Sequence, residues 1–117
     1  MKVAITVWDE RIAPVFDAAH SLLIADIKNR VVKKIGYESF DPRLEALLTQ
    51  KLHHLQIDVF ICGAISQFDS NLIEAIGIRL VPFISGNVNR ILESWAKENS
   101  LIPEFLMPGC REDQPFV

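Results

Sequence analysis

Residues 57–83 decide the fold of this chain, and their sequence reads IDVFICGAISQFDSNLIEAIGIRLVPF. The apolar runs Ile57–Cys62 and Ile78–Phe83 each predict a buried strand. Between them, Ser66 and Asp69 have the spacing of a helix-capping pair, which predicts that a helix joins the two strands. Two strands connected in this way lie parallel in one sheet, with a right-handed crossover.

Two further helices are predicted, one on either side of this segment. Asp41-Pro42 predicts a helix start, since aspartate accepts hydrogen bonds from the first amides and proline has no amide hydrogen to lose. That helix continues to about Gln56, with an apolar face of Leu44, Leu47, Leu48, Leu52 and Leu55. The middle helix ends at Gly77 and has an inner face of Phe68, Leu72, Ile73 and Ile76. Asn87 predicts the cap of the last helix, whose apolar face is Val88, Ile91, Leu92, Trp95 and Ala96.

The first forty residues predict three strands joined by short turns. Lys2–Trp8 and Ser21–Ile27 are apolar and rich in β-branched residues, so both are typical of buried strands. Pro14 restricts any strand over residues 12–16 to a short or edge position. After a hairpin turn at residues 28–30, a third strand alternates, with one face made of Val31, Lys33, Ile35 and Tyr37.

The resulting order β-β-β-α-β-α-β-α predicts an α/β fold with one mixed five-stranded sheet. We expect the strand order 3-2-1-4-5, with strand 2 antiparallel and helices on both faces, a topology similar to that of ribonuclease H-like proteins. The expected domain covers residues 1–100, and an irregular tail follows over residues 101–117 because it contains three prolines. The exposed edge of the three-strand meander is a surface on which two chains could pair.

Composition excludes several classes of protein. Twelve basic and 15 acidic residues give a net charge of −3, which argues against a protein that coats nucleic acid. No apolar run is long enough to span a membrane, and residues 1–7 lack the features of a signal peptide, so we expect a cytoplasmic protein. Cys62 and Cys110 are far apart in sequence, and a disulfide is not expected in a reducing cytosol.

The functional site is expected at the carboxyl edge of the parallel strands, where residues 8–11, 62–66 and 84–87 form loops. Two of these loops enter helices, whose N-terminal amides favour an anionic ligand. A thiolate at Cys62 would lie beside a helix start, where its pKa would be lowered. One hypothesis is therefore a small anionic or metal-containing ligand centred on Cys62, and the alternative is a buried cysteine that only packs.

Several motifs occur in an order that resembles one known family. They are MKVAITV at residues 1–7, RIAPVFD at 11–17, LLIADI at 22–27, IDVFICGAIS at 57–66, AIGI at 75–78 and FLMPGC at 105–110. Together they resemble the dinitrogenase iron–molybdenum cofactor biosynthesis family, which includes NifX-like and NafY-like proteins and the C-terminal domain of some NifB proteins. The family's ribonuclease H-like fold agrees with the topology derived above.

The resemblance implies a protein that is not an enzyme. Family members bind an iron–sulfur or molybdenum–iron–sulfur cluster, or its precursor, and exchange it with metallocluster donor and recipient proteins. Combined with the position of the loops at the carboxyl edge, the hypothesis is that Cys62 is the principal contact to the cluster and that Gly63, Ala64, Ser66, Gly86 and Asn87 also contact it. Cys110 and His20 are the other candidate metal ligands.

One departure from the family concerns its cluster-binding histidine. Classical carriers have a His-Phe-Gly motif after the first turn, whereas this chain has Val-Phe-Asp at residues 15–17. Valine cannot bind a metal, and His20 does not occupy the motif position.

Other interpretations of the same residues stay open. The scaffold would also suit a metal-free regulatory or protein-interaction module. A remote alternative is a nuclease that holds Mg²⁺ through Asp9, Glu10 and Asp17. The simplest role of Ser66, Asp69 and Asn87 is helix capping, and that of Trp8 and Trp95 is packing.

Overall fold

The computed structural model describes residues 1–43, 45–98 and 105–107. Within these residues four strands come first, three α-helices then alternate with two further strands, and a short 3₁₀ turn covers Phe16–Ala18. The elements in chain order are β1 Lys2–Trp8, β2 Arg11–Ile12, β3 Ser21–Lys28, β4 Val31–Ser39, α1 Glu45–His54, β5 Val59–Ile61, α2 Gln67–Ala75, β6 Arg79–Val81 and α3 Val88–Glu98.

The sheet confirms the predicted α/β class and differs from the prediction in one strand. Its main path runs β4-β3-β1-β5-β6, with β1 antiparallel to β3 and parallel to β5. For the five longer strands this is the predicted order, but the sheet has six strands in the described part of the chain, so the five-stranded count was wrong. The sixth strand, β2, is two residues long and pairs with the end of β1, and Pro14 follows soon after it.

Helices cover both faces of the sheet and enclose two apolar cores. On one face, α3 packs its predicted stripe, including the fully buried Trp95, against side chains of β1 and β3. On the other face, α1 and α2 contribute Leu48, Leu52 and Ile73 to a second core around Phe60. This alternation of side chains between the two cores is what buried parallel strands require.

The first two helices differ from the predicted ones in detail. The Asp41 carboxylate accepts a bond from the Arg43 amide, 2.9 Å away, which is the kind of bond that a helix cap makes, and the described helix begins at Glu45. Leu47 was predicted on the apolar face of α1 but is 59% exposed. In α2, Phe68 was predicted to face inward and is 63% exposed, because the helix presents Ser70 and Ile73 to the sheet instead.

The predicted face of the third strand, here β4, was also wrong. The pairing of β3 with β4 shifts between Ile24 and Ala25, so that Gly36 faces Ile24 and Lys34 faces Ala25. Ile35 is the extra residue of a β-bulge, which reverses the alternation of side chains after it. Val31 and Lys33 therefore lie on the face of α1 and α2, whereas Tyr37 lies on the face of α3.

The described tail residues pack on the domain. Phe105 is buried in the core beside α3, and Leu106 pairs with Ile84 in an isolated bridge. The rest of the predicted tail lies outside the described residues. None of the helices in the described part of the chain has both the length and the apolarity that a membrane crossing requires.

Candidate functional site

Three loops meet at the carboxyl edge of the sheet, as the sequence predicts. Val15, in the segment after β2, pairs with Ala64 in the loop between β5 and α2. Arg11 pairs with Asn87, at the start of α3. The segment that follows β1 is therefore joined to both loops that enter helices, and these form one continuous surface.

Cys62 lies just below this surface, inside the core. Its side chain is fully buried in the apolar cluster that also contains Phe16, Phe60 and Ile65. Burial raises the pKa of the Cys62 thiol well above its ordinary value, so the predicted lowering of that pKa was wrong. The loss of solvation in the apolar core outweighs any lowering of the pKa by the nearby helix start. The thiol acts in packing in this arrangement, and its contact with a ligand stays a prediction.

The two residues after Cys62 are held against the segment that follows β2. A Cβ atom at Gly63 would collide with the backbone oxygens of Ala13 and Pro14, so no larger residue fits. The Ala64 amide donates to the Pro14 carbonyl, 2.8 Å away, and the Ala64 carbonyl accepts from Phe16 at 2.8 Å. The Ala64 amide, the backbone group that could donate to a cluster sulfide, is thus already used in the fold.

Ser66 caps α2, as predicted. Its hydroxyl accepts from the Asp69 amide and donates to the Asp69 carboxylate, both at 3.1 Å. Burial and the neighbouring Asp17 carboxylate raise the pKa of Asp69, while the bond from Ser66 opposes that shift. The Ser66 hydroxyl is therefore engaged by Asp69 in both directions, and the neighbouring Phe68 side chain is exposed.

The third loop is fixed in a similar way. The Gly86 carbonyl accepts from the Ile12 amide at 3.0 Å, and Gly86 has φ of 127°, which favours glycine. The Asn87 side chain accepts from the amides of Asn89 and Arg90, at 2.9 and 3.2 Å. Asn87 is therefore the cap of α3, as predicted.

An open groove of about 770 Å³ lies at the same edge, at the end of β1. We call it the edge groove. Its walls include the aromatic rings of Trp8 and Tyr37, which are 68% and 67% exposed. Its polar residues are Asp9, His20 and Ser21, and its remaining lining is Val7, Ala13, Pro14, Val15, Ala18 and Ala19.

Among the predicted metal ligands, His20 is the one that lines the edge groove. Cys62 lies outside this lining, and Cys110 is not among the described residues. Within residues 1–43, 45–98 and 105–107, no three His, Cys, Asp or Glu side chains are grouped to hold a metal ion. The nuclease alternative therefore has no carboxylate cluster to support it in the described part of the chain.

The edge groove itself was missed by sequence reasoning. Trp8 was predicted to pack and is exposed instead, whereas Trp95 packs as predicted. The available signal was the concentration of apolar residues in a turn, at Trp8, Pro14 and Val15, where polar residues are the rule. Tyr37 gave no such signal, because its position depends on the β-bulge.

Solved structures share this architecture at low sequence identity. PH0822 superposes with a TM-score of 0.74 at 16% identity, over 83% of this chain and 89% of that chain. MJ0327 of Methanocaldococcus jannaschii, named after dinitrogenase, gives 0.67 at 19% identity, over 88% and 95% of the two chains. TM1290 of Thermotoga, named after NifB, gives 0.57 at 16% identity, over 88% and 97%. At these identities the likeness establishes the fold alone.

The sheet order and the edge groove define an α/β protein with a mixed sheet and an open groove at the carboxyl edge. Residues 1–98 match the family described as dinitrogenase iron-molybdenum cofactor, so the chain belongs to that family. No curated protein sequence matches the chain.

Proposed function

We propose that this protein binds an iron–sulfur or molybdenum–iron–sulfur cluster, or a precursor of one, and carries or stores it without catalysing a reaction. The observation that carries the proposal is the family match over residues 1–98. The edge groove supports it, because a concave, mostly apolar site with a few polar groups suits a compact ligand. The cluster is cargo, taken from a donor protein and passed to a recipient protein.

The chemistry of the edge groove suits a preassembled cluster better than a bare ion. A preassembled cluster brings its own sulfide ligands and needs few bonds from the protein. The imidazole of His20 supplies one nitrogen ligand of the kind that iron accepts. The exposed rings of Trp8 and Tyr37 supply apolar surface that shields the cluster from water.

Among the other predicted contacts, Cys62 needs a change in the described arrangement. Cys62 would reach the edge groove only if the segment around Pro14 and Phe16 moved away from Ala64, which breaks two backbone hydrogen bonds. The Ser66 hydroxyl and the Asn87 side-chain oxygen now cap helices, whereas Gly63 and Gly86 hold the loops through their carbonyl oxygens, which accept and cannot donate to a sulfide. These contacts, and that of Cys110, stay predictions.

The test is cluster loading of the purified chain without oxygen. We expect a preformed iron–sulfur cluster to transfer to the protein and to give near-stoichiometric iron and a sulfide-to-iron absorption band. The variant His20→Ala should lose most of the bound iron, because it removes the one imidazole from the edge groove. His53→Ala is the matched control, since His53 is exposed on α1 and does not line the edge groove.

Two results would count against the proposal. If the wild-type chain retains no more iron than an unrelated protein does, the carrier function is wrong. If wild-type protein loads and His20→Ala loads equally, carriage stands but the edge groove is not its site.

A second candidate is a metal-free protein-interaction module on the same scaffold. The observation in its favour is the exposure of Trp8, Val15 and Tyr37 around one groove, which is typical of protein-binding surfaces. It predicts a colourless protein that captures a partner equally well with and without a cluster. The variant Trp8→Ala should weaken that capture.

The proposed setting is the cytoplasm, where the protein would meet the proposed donor and recipient proteins. The proposal requires no nucleic acid and no membrane, in line with the net charge of −3.

A further inference from the structure

The strand β4 forms one edge of the sheet and carries an unusual amount of exposed apolar surface. It is nine residues long, and β3 is the one strand with which it pairs among the residues that the structure describes. Val31, Ile35 and Tyr37 on this strand are 65%, 56% and 67% exposed. A long, apolar edge strand offers backbone donors and acceptors that another strand can use.

The β-bulge at Ile35 gives this strand a particular symmetry. Before the bulge, Lys33 lies on the face of α1 and α2, and Lys34 on the face of α3. After it, Glu38 lies on the face of α1 and α2, and Tyr37 on the face of α3. Lys33 and Glu38 therefore share one face, and Lys34 and Tyr37 share the other. Without the bulge, the two members of each pair would lie on opposite faces, because side chains alternate along a regular strand.

We propose that two copies of this chain associate through β4, antiparallel, around a two-fold axis between Ile35 and Gly36. In this register Lys33 of each copy faces the partner's Glu38. Lys34 of each copy faces the partner's Tyr37. Every directly opposed pair lies on one face of the joined sheet, as antiparallel pairing requires.

The charges on β4 are complementary in this register. Lysines on a free edge ordinarily discourage pairing. Here each Lys33 meets a carboxylate of the other copy, and opposite charges directly across two strands are stabilising. Each Lys34 meets an aromatic ring, with which an ammonium group interacts favourably. The apolar side chain of Ile35 lies beside the axis in both copies and is covered by the association.

The association also reaches the edge groove, since Tyr37 lines it. Each groove gains a lysine from the other copy, which adds positive charge at its rim. The contact is one strand wide, small for a permanent interface, so we expect a dimer that forms in a concentration-dependent manner.

The test is sedimentation velocity of the purified, metal-free full chain over a series of concentrations. We expect the wild-type chain to pass from monomer to dimer. Lys33→Glu and Glu38→Lys should each weaken the dimer roughly tenfold, because each change turns two attractive pairs into repulsive ones. The double variant with both changes restores opposite charges across the axis and should dimerise as the wild type does.

Matched controls are Lys97→Glu and Glu93→Lys, which make the same charge changes at exposed positions of α3. Circular dichroism checks that the variants fold. Glu38→Lys also loses a partly exposed ion pair to Lys51, at 3.7 Å, which contributes little to stability. The proposal is wrong if the wild-type chain stays monomeric, if single variants dimerise normally, or if the double variant does not recover. None of these outcomes depends on cluster binding, which is measured separately.

Discussion

Cys62 shows how the position of one side chain decides between chemistry and packing. It follows β5, and alternation along that strand turns its thiol toward the same core as Phe60. Phe16 belongs to that core and comes from a segment far away in sequence. Residues 57–66 predict that Cys62 lies at a strand end beside a helix start. They do not predict that Phe16 shares the core with Cys62, because that contact is made between segments distant in sequence.

The burial of Cys62 makes a prediction about alkaline stability. The folded-state pKa of this thiol is raised, so its stabilising contribution is complete below the ordinary value of 9.0 and is lost as pH rises above it. Only the unfolded chain ionises the thiol there, and the free energy of unfolding should fall by about 1.4 kcal/mol per pH unit. Urea denaturation between pH 7 and 10.5 measures it.

The comparison for this prediction uses Cys110→Ser and the double variant Cys62→Ala/Cys110→Ser. Both lack the second thiol, and other titrating groups contribute equally to both. We expect the double variant to be less stable at neutral pH, because it leaves a cavity. Above pH 9 the stability of the single variant should fall toward that of the double variant, because the single variant still contains Cys62. Curves that stay parallel through pH 10.5 would mean that Cys62 is accessible to solvent when folded.

Among the elements, the helix starts could be predicted well and the helix faces less so. The caps Ser66 and Asn87 depend on bonds to amides two or three residues away, and such spacing is visible in sequence. The face that α2 buries depends on how closely it approaches the sheet. The small Ser70 permits that approach, and Phe68 is turned outward. The apolar periodicity of the sequence therefore predicted, incorrectly, that the large side chain of Phe68 faces the sheet.

The cap at Ser66 predicts a stability change that separates capping from ligand binding. Ser66→Ala removes the acceptor for the Asp69 amide and should lower the free energy of unfolding by about 1 kcal/mol in the absence of any ligand. Thermal unfolding followed by circular dichroism measures this change. Gln67→Ala, at an exposed neighbouring position, is the control and should change stability little. No loss of stability in Ser66→Ala would assign the hydroxyl to another role.

The bulge in β4 illustrates what periodicity cannot reveal about a strand. Residues 31–39 have a sequence compatible with regular alternation. The bulge exists because β3 and β4 pair in a register that leaves Ile35 without an opposite residue. That register is a property of two strands together, so the face of Tyr37 was predicted incorrectly.

At the scale of the whole molecule, the strand order was predictable and the edge groove was not. The order follows from a three-strand meander joined to right-handed parallel crossovers, for which few arrangements exist. The edge groove combines residues between Val7 and Tyr37 that only the folded meander brings together. Its position at the carboxyl edge agrees with the general rule for α/β sheets. Its apolar character comes in part from Trp8, which sequence reasoning assigned to packing.

The described tail residues belong to the fold rather than to a separate appendage. Phe105 is 4% exposed, and its ring lies 3.3 Å from the position that a Cβ of Gly86 would occupy. The Ser85 amide donates to the Phe105 carbonyl at 2.8 Å, and the Met107 amide donates to Phe83 at 2.8 Å. These contacts fix the loop that enters α3, so the tail stabilises one side of the carboxyl edge.

Phe105→Ala should therefore lower the free energy of unfolding by about 3–5 kcal/mol, the usual cost of emptying a buried phenylalanine site. Phe68→Ala is the matched control, because it makes the same chemical change at a ring that is 63% exposed, and it should shift stability by less than about 0.5 kcal/mol. Urea denaturation of the two variants and the wild type measures both values. Equal, small losses in the two variants would place Phe105 outside the core and confine the folded domain to the residues before it.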